Sequence, residues 1–191
     1  MSAQIRLLPS VPHFVFLNET KTDKADAMSL EHYTLLCKRD RCKGGGGIAI
    51  FVREDIASRA VLLEGLDCAD ERCWIMFHSE GGPILACCWY RPPDPGNTSG
   101  IQRLKEEFGR LRKEAIGAIV IGDINVHCKT WLRFSDRNSI EGETLYEFCN
   151  EKGLKQIVRE PTRDGILLDL ILTGIPSVTY RRGVNIRDHH F

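Results

Sequence analysis

The sequence predicts a single α/β domain whose strands are largely antiparallel. Three observations carry that expectation: short apolar runs alternate with turns along the whole chain, only two segments have helical periodicity, and no linker, repeat or low-complexity tract divides the sequence. Its 191 residues, 42% apolar and 27% charged, suit one globular domain with a sizeable core.

Taken in order, the apolar runs predict ten strands, at residues 13–17, 33–36, 48–53, 60–63, 74–78, 84–90, 118–121, 155–158, 167–172 and 178–181. Gly44 to Gly47 and Gly81-Gly82-Pro83 punctuate them as turns. The four-glycine run is followed by Ile48-Ala49-Ile50-Phe51-Val52 rather than by Lys-Ser/Thr and a helix, so it reads as a strand connection and not as a phosphate loop. Ile101, Leu104, Phe108 and Leu111 recur at spacings of three and four, with Glu106, Arg110 and Lys113 on other faces. That spacing predicts an amphipathic helix lying on a sheet. Residues 143–152 form a second predicted helix, stopped by Gly153 at the usual C-terminal position.

Composition narrows the setting. No apolar run approaches the roughly 20 residues of a membrane span, and the N-terminus lacks the basic flank, apolar core and cleavage site of a secretory signal. The chain is therefore expected to be intracellular, nuclear or cytoplasmic, not secreted, and to work without a membrane. Its eight cysteines are scattered through a chain too large to need staples, so reduced thiols are the expectation. The Cys37/Cys42 and Cys68/Cys73 spacings have no histidine at zinc-finger distance. Basic and acidic residues balance at 26 each, which argues against tight nonspecific binding to nucleic acid. Setting aside Glu19, Asp123, Asp169 and Asp188 as candidate site acids leaves a surplus of four positive charges.

The most informative stretch is 119–125, where an apolar run ends in Gly122-Asp123-Ile124-Asn125. A buried strand there would present a carboxylate and a carboxamide at its tip, the one a hard oxygen ligand or base, the other a donor to a phosphate oxygen. Taken alone, Gly-Asp after a strand is also an ordinary turn. Four further polar elements follow apolar runs in order: Asn18-Glu19-Thr20-Lys21, Tyr90-Arg91-Pro92-Pro93, Asp169 within Leu167 to Leu172, and Asp188-His189-His190.

On this ordered set the chain resembles the endonuclease/exonuclease/phosphatase superfamily, and within it the endonuclease domain of LINE-type (non-LTR) retrotransposons. In that branch Gly-Asp-x-Asn is followed by a His, a Trp, an Asn-x-x-x-Gly and a Pro-Thr; here these are His127, Trp131, Asn138 with Gly142, and Pro161-Thr162. The resemblance runs from about Phe14 to His190. It implies a two-sheet α/β sandwich with outer helices, Mg²⁺ as cofactor with Mn²⁺ as a substitute, DNA as partner, and a reverse transcriptase module in a longer parent protein. It also implies roles: Glu19 and Asp188 as metal ligands, Asp123 to position or deprotonate water, Asn125 and Tyr90 to reach the phosphate, and His189, paired with Asp169, as a group protonated near neutral pH. His127 and Thr162 are secondary site candidates, and Arg91 and Arg163 are candidate contacts to the DNA backbone. By itself Tyr90 reads equally as a packing residue, Arg91 as a surface cation and Asp188-His189-His190 as a chain tail.

Both ends depart from the family pattern. A first strand bearing an Asn ligand is not found before Glu19, and the last strand stops one residue after His190, so the expected domain, spanning 1–191, is incomplete at both termini and lacks its first and last strands. Two rival readings remain open: a phosphatase of the same fold acting on small phosphate esters, and a catalytically inactive retroelement remnant.

Overall fold

The computed structural model describes residues 10–41, 44–63 and 70–183. Nine strands form two sheets among these residues. The smaller sheet has the order β1-β3-β2, with β1 Phe14–Asn18, β2 Tyr33–Arg39 and β3 Ile48–Arg53. The larger has the order β4-β5-β6-β7-β9-β8, with β4 Ala60–Leu63, β5 Glu71–Ser79, β6 Gly82–Tyr90, β7 Gly117–Asp123, β8 Lys155–Gln156 and β9 Asp169–Thr173. The pairs are antiparallel except β6 with β7. The helices are α1, Ser99–Leu111, and α2, Ile140–Lys152.

Strand alternation sorts side chains into three apolar layers. On β5, β6, β7 and β9 one parity (Trp74, Met76; Leu85, Cys87, Trp89; Ala118, Val120; Leu170, Leu172) packs with Ile101, Leu104 and Phe108 of α1 and Leu145 and Phe148 of α2. The other parity of β5 and β6 (Cys73, Ile75; Ala86, Cys88, Tyr90) meets Ile48 and Ile50 of β3 and Phe14 and Phe16 of β1 between the sheets. Ala49 and Phe51 of β3 face a third cluster with Leu30 and Tyr33. Buried on both faces, β3 is a continuous apolar run rather than an alternating one. No helix among the described residues is long and apolar enough to cross a membrane.

Four local expectations are corrected. Residues 178–181 form no strand: Val178 N closes a turn onto Ile175 O at 3.2 Å, and the segment that follows is exposed at alternate positions. Residues 167–172 begin as a loop, because Thr162 Oγ1 accepts from Leu168 N at 3.1 Å and Asp169 N at 3.0 Å before β9 starts. The second helix starts at Ile140, three residues before the expected 143, because Ser139 caps it by accepting from Gly142 N at 3.1 Å; Gly153, at φ 66°, ends it as expected. Finally, Cys37 and Cys73 are joined by a disulfide between β2 and β5, where reduced thiols were expected. Their separation of 36 residues crosses both sheets, a proximity no local spacing reveals. Cys87, Cys88, Cys128 and Cys149 are free and buried, while Cys42 and Cys68 lie outside the described residues.

Candidate active site

The polar residues gather where the intersheet layer opens at one end of the sandwich. Parity places them: Asp123 shares its strand face with Ile119 and Ile121, which line the intersheet pocket, and Tyr90 shares its face with Cys88 in the intersheet cluster. Asp123 and Asp169 are direct register partners across β7 and β9. Gly122 is required by close approach, since a Cβ there would fall inside the Trp89 carbonyl. The Gly-Asp step thus lets β7 close on β6 just before the acid.

Glu19 lies one residue beyond β1, and continued alternation would send it to the outer face with Val15 and Leu17. Its φ of 53° breaks the alternation and brings the carboxylate to Tyr90, whose Oη donates to Glu19 Oε1 at 3.4 Å. The turn is held by Thr20 N donating to Gly47 O at 3.2 Å and Lys21 N to Gly46 O at 2.9 Å. Gly47, at φ 91°, has its would-be Cβ position taken by Thr20 Oγ1. The glycine run therefore serves the tip that carries Glu19.

Arg163 bridges the two acids through one nitrogen: Nη2 donates to Glu19 Oε2 at 3.2 Å and to Asp123 Oδ2 at 3.1 Å. It sits on a tight turn whose central residues, Asp164 and Gly165, have φ of 48° and 80°, as in the primed turns that join strands. Burial pushes the Asp123 carboxyl up to about 6, and the nearby Asp169 and Glu19 charges add to the rise while Arg163 and Asn125 oppose it. Asp123 is 1% exposed, and its Oδ1 has no hydrogen-bond partner among the described residues. Tyr90 is pushed up to about 12 by burial and by the Glu19, Asp123 and Glu71 charges, so its hydroxyl stays a donor at neutral pH.

Glu19, Tyr90, Asp123, Asp169 and Arg163 are thus brought together, and other candidates are placed differently. Asn125, at φ 50°, is off the strand rather than extended, and its Nδ2 donates to Arg91 O at 3.0 Å. Arg91 is not a surface contact for DNA: it is 5% exposed, and its guanidinium donates to the carbonyls of Asn125, Asp94 and Asn97 at 3.2, 3.1 and 2.8 Å. It knits together the loops after β6 and β7. His127 is turned to its own loop, with Nδ1 2.9 Å from Asp136 Oδ1 and Nε2 2.9 Å from Arg137 Nη2. Thr162 reaches the site through the backbone, by holding the start of β9. Trp131 stacks on Tyr146 and donates to Gly142 O at 3.2 Å, and Asn138 accepts from Lys129 N at 2.8 Å, so both shape the loop before α2. Asp188 and His189 lie outside the described residues, and with them the expected Asp169–His189 pair.

Glu71 was missed. It pairs in register with Tyr90, its carboxylate accepts from Gly47 N, and burial raises its pKa with Asp40 and Glu19 adding to the rise. The parity of Cys73 and Ile75 on β5 would have put it on the intersheet face; what the sequence hides is that Tyr90 and the glycine run lie opposite.

No group of three or more His, Cys, Asp or Glu side chains that could hold a metal occurs among the described residues. Mg²⁺, however, is commonly bound through one or two carboxylates, with water and phosphate completing its shell. Glu19 and the unpartnered Asp123 Oδ1 are oxygen donors of that type, and the bridging Arg163 already marks the pair as a place for positive charge.

Three solved structures share the fold at low identity. The endonuclease domain of TRAS1, a telomere-specific non-LTR retrotransposon, is 18% identical with a TM-score of 0.64, covering 84% of this chain and 71% of that one. The 3′ phosphatase NExo from Neisseria, bound to product DNA hairpin, is 15% identical with a TM-score of 0.59, covering 90% and 79%. An AP endonuclease from Archaeoglobus fulgidus is 17% identical with a TM-score of 0.54, covering 85% and 76%. Comparison with curated proteins gave no match. A family model described as endonuclease-reverse transcriptase matches residues 84–190, more than half of the sequence, and includes Tyr90, Asp123, Asn125, Arg163 and Asp169. The chain belongs to the endonuclease-reverse transcriptase family, with the two-sheet, largely antiparallel α/β architecture of the endonuclease/exonuclease/phosphatase superfamily.

Proposed function

We propose that this chain hydrolyses phosphodiester bonds in DNA with the help of a divalent ion, Mg²⁺ or Mn²⁺, nicking a strand as the endonuclease part of a retrotransposon-derived protein. The observation that carries the reading is Asp123: a nearly inaccessible carboxylate, raised to about 6, with one oxygen unpartnered and two further acids beside it. A carboxylate so placed is ionised at neutral pH yet basic enough to accept a proton from water. Family membership and the DNA-bound and retrotransposon structures of like fold support DNA as substrate.

Each side chain has a part consistent with its surroundings. Glu19, with Asp188 from the C-terminal segment, would hold the ion, which supplies neutralisation of the nonbridging oxygens and stabilisation of the leaving oxygen. Tyr90, kept protonated, offers its hydroxyl to a phosphate oxygen. Asn125 fixes the loop that follows Asp123 and has a second amide hydrogen to offer. Asp169, beside Asp123, is the partner the resemblance assigns to His189. A reverse transcriptase that would extend the nicked strand belongs to a parent protein.

Supercoiled plasmid incubated with the purified chain and Mg²⁺ tests the reading. Conversion to nicked circle, abolished by chelator and in Asp123→Ala and His189→Ala, is the expected result. A folded chain that leaves the plasmid supercoiled overturns it in favour of an inactive remnant. Release of phosphate from small esters without nicking would favour a phosphatase.

A further inference from the structure

The contacts of Arg163 go beyond those of a cation waiting for DNA. Its Nη2 lies 3.2 Å from Glu19 Oε2 and 3.1 Å from Asp123 Oδ2, so a single nitrogen occupies the space between the two acids. Those are the carboxylates through which a divalent ion would be held or its bound water activated. A guanidinium nitrogen and a hard cation cannot both fill that space. Meanwhile Asp123 Oδ1 is left buried and unpartnered among the described residues, so Arg163 satisfies only half of that carboxylate.

The mounting of Arg163 favours exchange. Its backbone is fixed by the Arg163–Ile166 bridge and by Thr162, which holds the start of β9, so the base of the side chain does not wander. The side chain itself is 44% exposed, against 1% for Asp123 and 32% for Glu19. A long side chain on a rigid turn at the mouth of a buried acid can swing outward without disturbing the sheet, at the small cost of remaking exposed ion pairs.

We propose that Arg163 is the resident counter-ion of the site, exchanging with a divalent cation at Glu19 and Asp123 and, once released, pairing with a phosphate oxygen of the DNA. This rests on the divalent-ion phosphodiesterase reading and adds the residue that links ion binding to substrate binding. In the ion-free protein Arg163 screens the repulsion between the acids. In the ion-bound protein it becomes a free guanidinium at the site mouth, suited to a phosphate. By linkage, ion and DNA then favour each other, because each takes up one end of the same exchange.

The test measures binding, not turnover. Mn²⁺ affinity of the full chain is read by electron paramagnetic resonance for wild type, Arg163→Gln and Arg163→Lys, with circular dichroism to confirm folding. Affinity for a short duplex is read by fluorescence anisotropy in Ca²⁺, a hard cation of the same charge, with and without the cation. Arg163→Gln should bind Mn²⁺ roughly tenfold more tightly than wild type, and should lose most of the cation-induced gain in duplex affinity. Arg163→Lys keeps the charge and should stay close to wild type in Mn²⁺ affinity. Equal or weaker Mn²⁺ binding by Arg163→Gln, no Mn²⁺ binding by any of the three, or a cation-induced gain in duplex affinity that survives the substitution overturns the proposal. Plasmid nicking that persists alongside such a result would leave the phosphodiesterase reading standing; absence of nicking with the exchange intact would do the reverse.

Discussion

At pH 8 Asp123 is ionised while almost wholly out of water, and its folded-state pKa of about 6 against an ordinary 3.8 states the cost. Because the pKa is raised, the folded chain binds the proton more tightly than the unfolded one. The stability that comes with it is full below about pH 4 and is lost as pH rises through about 6. Asp123→Asn, which cannot ionise, should therefore make the chelator-treated protein more stable at pH 8, by on the order of 3 kcal/mol, with the gain fading as pH falls through 6 towards 4. Denaturant unfolding at a series of pH values reads this directly, and an Asn variant less stable at pH 8 would mean that the lost pairing with Arg163 outweighs the relieved burial. Asp123 and Glu19 were legible in the sequence because each ends an apolar run, and a strand tip is where a sheet presents polar groups. Arg91 reads as a surface cation in the sequence because its partners are backbone carbonyls from two loops, and carbonyls leave no mark in composition. The surroundings of His127 were hidden for a related reason, since its contacts are with Asp136 and Arg137, nine and ten residues on in its own loop.

Among the elements, α1 shows what periodicity reads and what it overlooks. Ile101, Leu104 and Phe108 fall on the buried face as their spacing requires, yet Glu107 is buried with them, at 3% exposure. Its carboxylate accepts from Arg72 Nε at 2.7 Å and Nη2 at 2.9 Å and from Trp74 Nε1 at 2.6 Å, fastening the helix to β5 through side chains a hydrophobicity pattern scores as solvent-facing. A charge this deep is tolerated because it is paired in a bidentate geometry and both carboxylate oxygens accept hydrogen bonds. Removing one partner strands the other: Glu107→Ala leaves the Arg72 guanidinium, 2% exposed at its side chain, with Asp70 as its remaining acid, and should cost about 3–5 kcal/mol. Arg72→Met combined with Glu107→Leu removes both charges and should recover much of that loss, which thermal unfolding of the single and double variants would show. If the single variant costs under about 1 kcal/mol, the pair is an ornament of a helix held by its apolar face alone. The same contrast explains β9, whose apolar run began two residues before the strand: Leu167 is fully buried from a loop, so burial was legible there and hydrogen bonding was not.

In the whole molecule the two faces of the larger sheet are filled unequally. The helix side carries the larger cluster, with Trp74, Trp89, Phe108 and Phe148 close-packed, whereas the intersheet layer has a partly open apolar pocket of about 90 Å³ lined by Phe14, Phe16, Phe77, Ile119 and Ile121 among others. Side chains lining that pocket lack protein partners on one side, so that layer adheres less strongly for its area. The Cys37–Cys73 bond crosses this weaker layer and ties the smaller sheet, which carries Glu19, to the larger, which carries Tyr90, Asp123 and Asp169. Closing a loop of 36 residues restricts the unfolded chain by an amount worth about 3–4 kcal/mol in the chain-entropy account. Unfolding in denaturant with and without dithiothreitol should differ by that order, and Cys37→Ser with Cys73→Ser should match the reduced wild type and ignore the reductant. The loss should appear first as separation of the sheets: Tyr90, at the intersheet face, should change its fluorescence or hydrogen-exchange environment at lower denaturant than the helix-side Trp89 once the bond is gone. Coincident transitions in the reduced protein would mean that the layers unfold as one cooperative unit and that the bond adds stability without deciding where unfolding starts.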